Sequence, residues 1–176
     1  AFSERKGEII SGVYQSSTHN IIPVDNCLIE DEKADRIIVT VRKLLKSFKL
    51  KPFNDNTMKG FLRHVLIKRG FVSGQIMVVL VTSVMDFPKE SQFVNAILER
   101  HPEITTVVQN VNNKRTSLVL GEESRVLFGN GYIEEELLGF NDKNLSANGK
   151  YSLSNWQDSM YNMGYYDMEN SGEVGI

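Results

Sequence analysis

The chain has 176 residues, of which 41% are hydrophobic, enough for one ordinary domain with its own core. Its longest apolar run, residues 76–81, is far too short to span a bilayer, and the N-terminus lacks the pattern of a signal peptide. We therefore expect a soluble, cytoplasmic domain with no membrane association. The single cysteine, Cys27, excludes an internal disulfide and cannot form a four-thiolate metal site alone.

The formal net charge of −2 conceals an uneven distribution of charge along the chain. The stretch from Arg42 to Arg69 carries +8 and the remaining chain −10. Its only acid is Asp55, and its cations are Arg42, Lys43, Lys46, Lys49, Lys51, Lys59, Arg63, Lys68 and Arg69. Such a stretch is able to neutralise several phosphates of a nucleic acid. A solvated helix face followed by a polar loop explains the charges equally well.

The first half of the chain predicts a hairpin, a helix and a second hairpin. Residues 8–14 and 20–24 are rich in β-branched side chains and predict an edge hairpin. From Glu30 to Phe48, apolar residues recur at steps of three and four, which predicts a helix. Two apolar runs, residues 61–68 and 75–83, predict a hairpin whose second strand is covered on both faces.

A second helix is predicted to begin near Pro88 and to stop before His101. Short strands are predicted to follow at residues 104–111, 117–120, 125–128 and 131–134. Hairpin-length links between successive strands indicate an α+β fold, with two helices packed on a largely antiparallel or mixed sheet. The composition changes after Phe140, so we expect a domain over residues 1–140 and an irregular tail or linker over 141–176.

No group of residues carries catalytic chemistry by itself. The chain has no glycine-rich turn between a strand and a helix, and His19, His64 and His101 lie far apart in sequence. A lone histidine is more often structural or solvated than catalytic. The residues alone therefore indicate an α+β domain with a basic segment.

Three segments are more specific in combination than any one of them is alone. They are GEIISGVYQSSTHNIIPVDNCLIED, GFLRHVLIKRGFVSGQIMVVLVTS and PEITTVVQNVNNKRTSLVLGEESRVLFGNGYIEEELLG. The most distinctive pieces are Leu62-Arg63-His64, Gln109-Asn110 followed by Asn112, and Leu120-Gly121. In order and spacing, residues 5–140 resemble the bacterial RNA uracil-5-methyltransferases that act on ribosomal or transfer RNA.

Members of that family have an N-terminal RNA-binding barrel, a central domain and a C-terminal domain that binds S-adenosylmethionine. The resemblance implies that this chain is most of the central domain of a 23S rRNA (uracil-5-)-methyltransferase, with ribosomal rather than transfer RNA as its partner. The family's catalytic cysteine and proton-abstracting carboxylate belong to the third domain and have no match here. We therefore expect no catalytic residue and no methyl transfer by this chain alone, and we infer no obligate protein partner.

The resemblance implies a role for Cys27 that differs from that of the catalytic cysteine. Many members hold a 4Fe–4S cluster with three closely spaced cysteines and a fourth after a gap, and the surroundings of Cys27 resemble those of the fourth. A cluster requires four thiolates, so we expect ligation by Cys27 in a longer parent protein and no cofactor in this chain. The alternative is a half-buried free thiol that packs as a small apolar residue.

The resemblance implies that a surface with Arg63, His64, Lys68 and Arg69 faces RNA. They would hold phosphates around a uracil that has left its stack. Because side chains alternate along a regular strand, we expect Arg63 and Arg69 on one side and His64 and Lys68 on the other. In the alternative, Arg63 and His64 bind neighbouring backbone or carboxylate groups within the domain.

Residues 151–159 faintly resemble the segment that begins the family's methyltransferase domain, where a glutamine contacts the methyl donor. Ser154, Trp156 and Gln157 fit its spacing, which makes Gln157 a candidate contact for S-adenosylmethionine. Asn155 replaces an aromatic residue of that pattern, so an altered tail is the alternative. For the chain as a whole, the competing function is a stand-alone, non-catalytic module for RNA binding or protein interaction.

Overall fold

The computed structural model describes residues 1–16, 20–24, 31–116, 118–138 and 146–152. Its described part has two helices and nine strands, and both helices contribute to the core on one face of a four-stranded sheet. This arrangement confirms the predicted α+β class. Within the described residues, neither helix is long and apolar enough to cross a membrane.

The strands form three sheets. The first is antiparallel and contains β1 (Phe2–Arg5), β2 (Glu8–Tyr14) and β3 (Ile21–Pro23). The main sheet has the order β4 (Leu62–Arg69), β5 (Ile76–Thr82), β6 (Ile104–Val111) and β7 (Glu123–Phe128). The third is the antiparallel pair of β8 (Tyr132–Leu138) and β9 (Ser146–Ser152).

Strand β5 lies at the centre of the main sheet, and all seven of its residues are buried. Ile76, Val78 and Leu80 join the core beneath the helices, whereas Met77, Val79 and Val81 join a smaller apolar cluster on the opposite face. The prediction of a strand covered on both faces is therefore confirmed. Strand β5 pairs antiparallel with β4 and parallel with β6, because the second helix crosses between β5 and β6.

The two helices begin in different ways. Helix α1 (Glu32–Ser47) is capped by Asp31, whose carboxylate accepts hydrogen bonds from the backbone N–H groups of Lys33 at 2.8 Å and Ala34 at 3.4 Å. Helix α2 (Glu90–Leu98) has Lys89 at its N-cap in the left-handed region, with φ of 56° and no side-chain cap. Both helices lie within the ranges that apolar periodicity predicts, because their buried stripes pack on the sheet.

Strand β6 carries two fully buried amide side chains, Gln109 and Asn110. The Gln109 amide nitrogen lies 2.8 Å from the Thr82 hydroxyl, 3.0 Å from the Val84 carbonyl and 3.2 Å from the Met85 carbonyl. Its amide oxygen accepts from Arg125 Nε at 2.8 Å. Gln109 thus fixes the loop that follows β5.

Asn110 performs the same task for the loop before β7. Its amide nitrogen donates to the carbonyls of Gly121 at 3.0 Å and Glu123 at 3.2 Å, and its oxygen accepts from the Gly121 N–H at 2.7 Å. A Cβ atom at residue 121 would lie 1.8 Å from the Val111 carbonyl oxygen, so the close approach requires glycine. The neighbouring amide of Asn112 donates to the Leu118 carbonyl at 2.7 Å.

Three segments differ from the prediction. Strand β1 was not predicted, because its sequence FSER has only one apolar side chain. Residues 118–120 form a loop rather than a strand, and Asn112 holds their carbonyl groups. Residues 146–152 form β9 instead of irregular structure, in a polar sequence that has no β-branched residue.

Replacing Asn110 with alanine removes a fully buried amide and the partner of the peptide groups of Gly121 and Glu123. We expect Asn110→Ala to lower the free energy of unfolding by about 3 kcal/mol, measured by urea denaturation with circular dichroism. The matched control is Asn113→Ala, because Asn113 is exposed and its replacement should change stability by less than about 0.5 kcal/mol. Equal stabilities of the two variants would contradict this role of Asn110.

Candidate nucleic-acid interface

The residues predicted to face RNA lie on β4, whose pairing with β5 is irregular at one end. The register shifts between Leu62 and His64, which marks a β-bulge. Beyond the bulge the alternation is regular: Lys68 pairs with Met77, on the face of the smaller apolar cluster, and Arg69 pairs with Ile76, on the helix face. Regular alternation predicted Arg63 and Arg69 on the same side of β4, and the bulge breaks that alternation between them.

Arg63 lies in the interior, with 4% of its surface exposed. Its guanidinium donates to the carbonyls of Asn112 at 3.0 Å and Lys114 at 2.9 Å, and forms an ion pair with Asp55 at 2.9 Å. The central carbon of the guanidinium, Cζ, lies 4.5 Å from the centroid of the Phe53 ring. This environment favours the alternative in which Arg63 binds groups of its own domain.

His64 is only partly exposed, and its ring meets the edge of Tyr14 with a centroid separation of 6.2 Å. Burial lowers the pKa of His64 to about 3, and the positive charges of the Ala1 amino group and Arg63 act in the same direction. The pKa of Tyr14 is raised to about 12 by burial and by the Asp55 carboxylate, which accepts from its hydroxyl at 3.4 Å. At neutral pH, His64 is therefore uncharged and offers only a neutral contact.

Lys68 and Arg69 occupy the end of β4 nearest the hairpin turn. Arg69 is exposed and forms an ion pair with Asp31, the N-cap of α1. The hydrogen bond from Arg69 is the main cause that holds the pKa of Asp31 below its usual value. Lys68 lies on the opposite face of the hairpin, where partial burial lowers its pKa. The two cations therefore point to different sides of the same turn.

The turn between β4 and β5 presents an exposed aromatic ring. Phe71 is 95% exposed, and the adjacent Val72 is 50% exposed. The base of the turn is closed by hydrogen bonds from the Gly70 N–H to the Gln75 carbonyl at 2.8 Å and from the Gly74 N–H to the Gly70 carbonyl at 3.1 Å. We did not single out Phe71 from the sequence, although an aromatic residue next to Lys68 and Arg69 was the available signal.

Phe71 also lies at the rim of a cleft between the start of α1 and β4. The cleft has a volume of about 510 Å³ and is lined by Asp31, Ala34, Ile38, Val65, Leu66, Ile67, Arg69 and Phe71. Its walls are mostly apolar, and its charged groups are the paired side chains of Asp31 and Arg69. The cleft therefore combines an apolar wall with one ion pair at its edge.

The basic segment does not form one continuous patch. Arg69 contacts Asp31, the N-cap of α1, whereas Lys43 and Lys46 lie exposed near the other end of this helix of 16 residues. Such a helix is about 24 Å long, so the two groups of cations are well separated. The charge of Arg63 is in addition offset by Asp55. The cations of the helix end therefore fit the solvated-face alternative, and those of the turn form the candidate interface.

Two of the predicted site residues, Cys27 and Gln157, lie outside the described residues, as does His19. Within the part of the chain that the structure describes, no group of three or more His, Cys, Asp or Glu side chains is arranged to hold a metal ion.

The contrast between Arg63 and Arg69 is open to a direct stability test. We expect Arg63→Met to lower the free energy of unfolding by about 3 kcal/mol, because it removes the ion pair of Asp55 and the donor to two carbonyl groups. Arg69→Met removes a partly exposed ion pair and should cost about 0.5 kcal/mol. Chemical denaturation of both variants measures the difference. Similar losses would mean that the two arginines have equivalent environments.

The low pKa of His64 predicts a loss of stability in acid. The folded chain binds this proton with a pKa of about 3, against 6.5 for an unperturbed histidine. The stability that the folded chain gains from neutral His64 is therefore complete above pH 6.5 and is lost as pH falls from 6.5 towards 3. We expect His64→Gln to lose less stability than the wild type between pH 7 and pH 5 in urea titrations. An equal loss in both proteins would show that His64 does not titrate in this way.

Similarity to known proteins was found in both sequence and structure, although no family model matches the chain. An uncharacterized RNA methyltransferase of Bacillus cereus is 37% identical over 130 residues, which are 74% of this chain and 28% of that protein. A protein of the same description from Clostridium acetobutylicum is 37% identical over 132 residues, 75% of this chain and 29% of the relative. The chain thus spans about three tenths of the length of the curated relatives that it matches.

The fold is similar to that of a solved enzyme. The crystal structure of Pyrococcus abyssi tRNA (uracil-54, C5)-methyltransferase in complex with S-adenosyl-L-homocysteine matches with a TM-score of 0.59 and 19% identity. The match covers 78% of this chain and 32% of the enzyme. At this identity, the structural likeness supports the fold alone. The curated relatives confirm the predicted resemblance: over about three quarters of its length, this chain is similar in sequence to RNA methyltransferases.

Proposed function

We propose that this chain is the RNA-facing central part of a cytoplasmic, S-adenosylmethionine-dependent methyltransferase that acts on C5 of a uridine in 23S ribosomal RNA. The observation that carries the proposal is the 37% identity to RNA methyltransferases over three quarters of the chain. The choice of uracil C5 rests on the sequence resemblance and on the fold shared with the Pyrococcus abyssi enzyme. The choice of ribosomal RNA rests on the resemblance alone.

In this proposal, the chain contributes binding surface and no catalytic group. Residues 1–140 form the central domain, and residues 141–176 lead towards a methyltransferase domain that the curated relatives, being more than twice as long, have room to contain. S-adenosylmethionine would supply the methyl group when bound to that domain. Gln157 is the one residue of this chain that we propose as a contact for it.

The residues present do not fit a complete iron–sulfur cluster. Cys27 is the only cysteine among the 176 residues, so it provides one of the four thiolates that a 4Fe–4S cluster requires. Ligation by Cys27 in the parent protein stays a proposal that depends on three cysteines from elsewhere. We assign no step of the reaction to such a cluster.

The proposed RNA interface is the turn end of β4. Lys68 and Arg69 would bind phosphates, and neutral His64 would make an uncharged contact on the face that it shares with Lys68. Arg63 would act as a positioning residue, because it joins Asp55 to the carbonyl groups that follow β6. Phosphate contacts of this kind set the position of RNA without reading its sequence.

The salt dependence of RNA binding tests this interface. Lys68→Gln together with Arg69→Gln removes two charges and should make the log–log slope of affinity against salt shallower by about 1.4 for single-stranded RNA, at about 0.7 per phosphate. Fluorescence anisotropy with a labelled oligoribonucleotide, at several salt concentrations, provides the measurement. The matched control, Lys43→Gln with Lys46→Gln, removes the same charge from exposed positions near the far end of α1 and should leave the slope unchanged.

If the Lys43 and Lys46 substitutions change the slope and the Lys68 and Arg69 substitutions do not, RNA passes the end of α1 instead, and the proposed interface is wrong. Circular dichroism of each variant must match the wild type, so that a change in slope reports lost contacts and not lost structure.

A further inference from the structure

Phe71 is the most exposed of the large hydrophobic side chains in the described part of the chain. Its surface is 95% exposed, against 41% for Phe128, the other phenylalanine among the exposed hydrophobics. A phenyl ring held in water at the tip of a turn contributes nothing to the core of the domain. Exposed aromatic rings of this kind commonly mark a surface that a partner covers.

The charges beside Phe71 favour a nucleic acid as that partner. Lys68 and Arg69 lie on opposite faces of the hairpin, three and two residues before Phe71 in the chain. Asp31 holds Arg69 at the rim of the cleft that Phe71 also lines. A polyanion that crosses the tip would pass both cations and gain from their positive charge, which an apolar protein surface would not.

The turn itself is suited to hold the ring in place. Hydrogen bonds between Gly70 and Gln75 and between Gly74 and Gly70 close its base, and Gly74 has a φ of +68°, which favours glycine. The ring is therefore presented at the cleft by a fixed backbone and not by a long flexible side chain. An aromatic ring so placed is able to stack on any base, because every base has a π face.

We propose that Phe71 stacks on an unpaired base of the RNA substrate, while Lys68 and Arg69 bind the phosphates on either side of it. Phe71 is then a substrate-binding residue that the turn carries to single-stranded RNA, the form in which bases are free to stack on protein side chains. This inference rests on the proposed function, since it specifies how the same interface recognises RNA.

Substitution of Phe71 tests the stacking. We expect Phe71→Ala and Phe71→Leu to weaken binding of a single-stranded oligoribonucleotide by about 5- to 150-fold, as for the loss of one base–aromatic stack. Phe71→Tyr keeps the aromatic face and should bind within about twofold of the wild type. Because Phe71 is exposed, none of the three should alter the unfolding midpoint. The salt slope should stay unchanged in all three, since no charge is removed.

A tryptophan reporter gives a second readout. Trp156 is the only tryptophan, so Phe71→Trp combined with Trp156→Phe places the single indole at the turn. Its fluorescence should be quenched when the same oligoribonucleotide stacks on it. The control is Phe128→Trp combined with Trp156→Phe, which places the indole at another exposed position, on β7, where RNA should leave it unchanged.

Each outcome decides between the accounts. If Phe71→Ala binds RNA as the wild type does and the reporter is not quenched, stacking is wrong, while the salt-slope result still stands for the interface. Absence of RNA binding by the wild-type chain would overturn both. If Phe71→Leu binds as tightly as Phe71→Tyr, the ring acts through apolar contact alone, and stacking is likewise refuted. Self-association of the wild type that Phe71→Ala abolishes in analytical ultracentrifugation would assign the ring to a protein contact instead.

Discussion

The loops that leave β5 and β6 expose peptide groups that no strand of the main sheet can pair. Peptide groups that are partly removed from water without a partner are costly, so side chains that both donate and accept hydrogen bonds stabilise these loops. Gln109 and Asn110 on β6, together with Asn112 directly after it, meet this need, and each is at most 1% exposed. Amides are suited to the task because they offer a donor and an acceptor without adding a charge to the interior.

The position of the candidate interface depends on this network. The Asn112 carbonyl accepts from Arg63, which also reaches Asp55 in the loop before β4, so the network ties β6 to the start of β4. From there β4 continues to the exposed turn, supported by the fully buried β5. A buried arginine at the bulge and exposed groups at the turn are thus two parts of one strand. The first fixes the strand, and the second lies at the surface of the domain.

Much of the fold follows from simple patterns in the sequence. Apolar periodicity predicted both helices, and the continuous apolar run predicted β5, because burial of apolar side chains is the main cause of each. Strand β9 was missed because pairing with β8, and not its own composition, makes it a strand. The motif Gln109-Asn110 with Asn112 was recognised as distinctive, yet its sequence does not reveal that its partners are backbone groups of the same domain.

The site was less predictable than the fold. A basic stretch indicates a charged surface, but sequence alone does not show that Arg63 turns inward at a β-bulge or that the helix-end cations lie far from the turn. The inward path of Arg63 depends on its contact with Asp55. The position of the turn beside the start of α1 depends on the contact of Arg69 with Asp31, which comes from a separate part of the chain. Phe71 was not predicted as a site residue because an aromatic residue usually predicts burial. Only the path of the hairpin shows that it is exposed.

The most direct test of the account is a map of the RNA contact by two-dimensional ¹H–¹⁵N NMR. Titration of the labelled chain with a single-stranded oligoribonucleotide should shift the backbone amide signals of residues 68–75, with the signals of residues 43–50 unchanged. That result would place RNA at the turn between β4 and β5. Shifts confined to residues 43–50, or no saturable shift in residues 68–75, would contradict the claim that this turn is the RNA-facing surface.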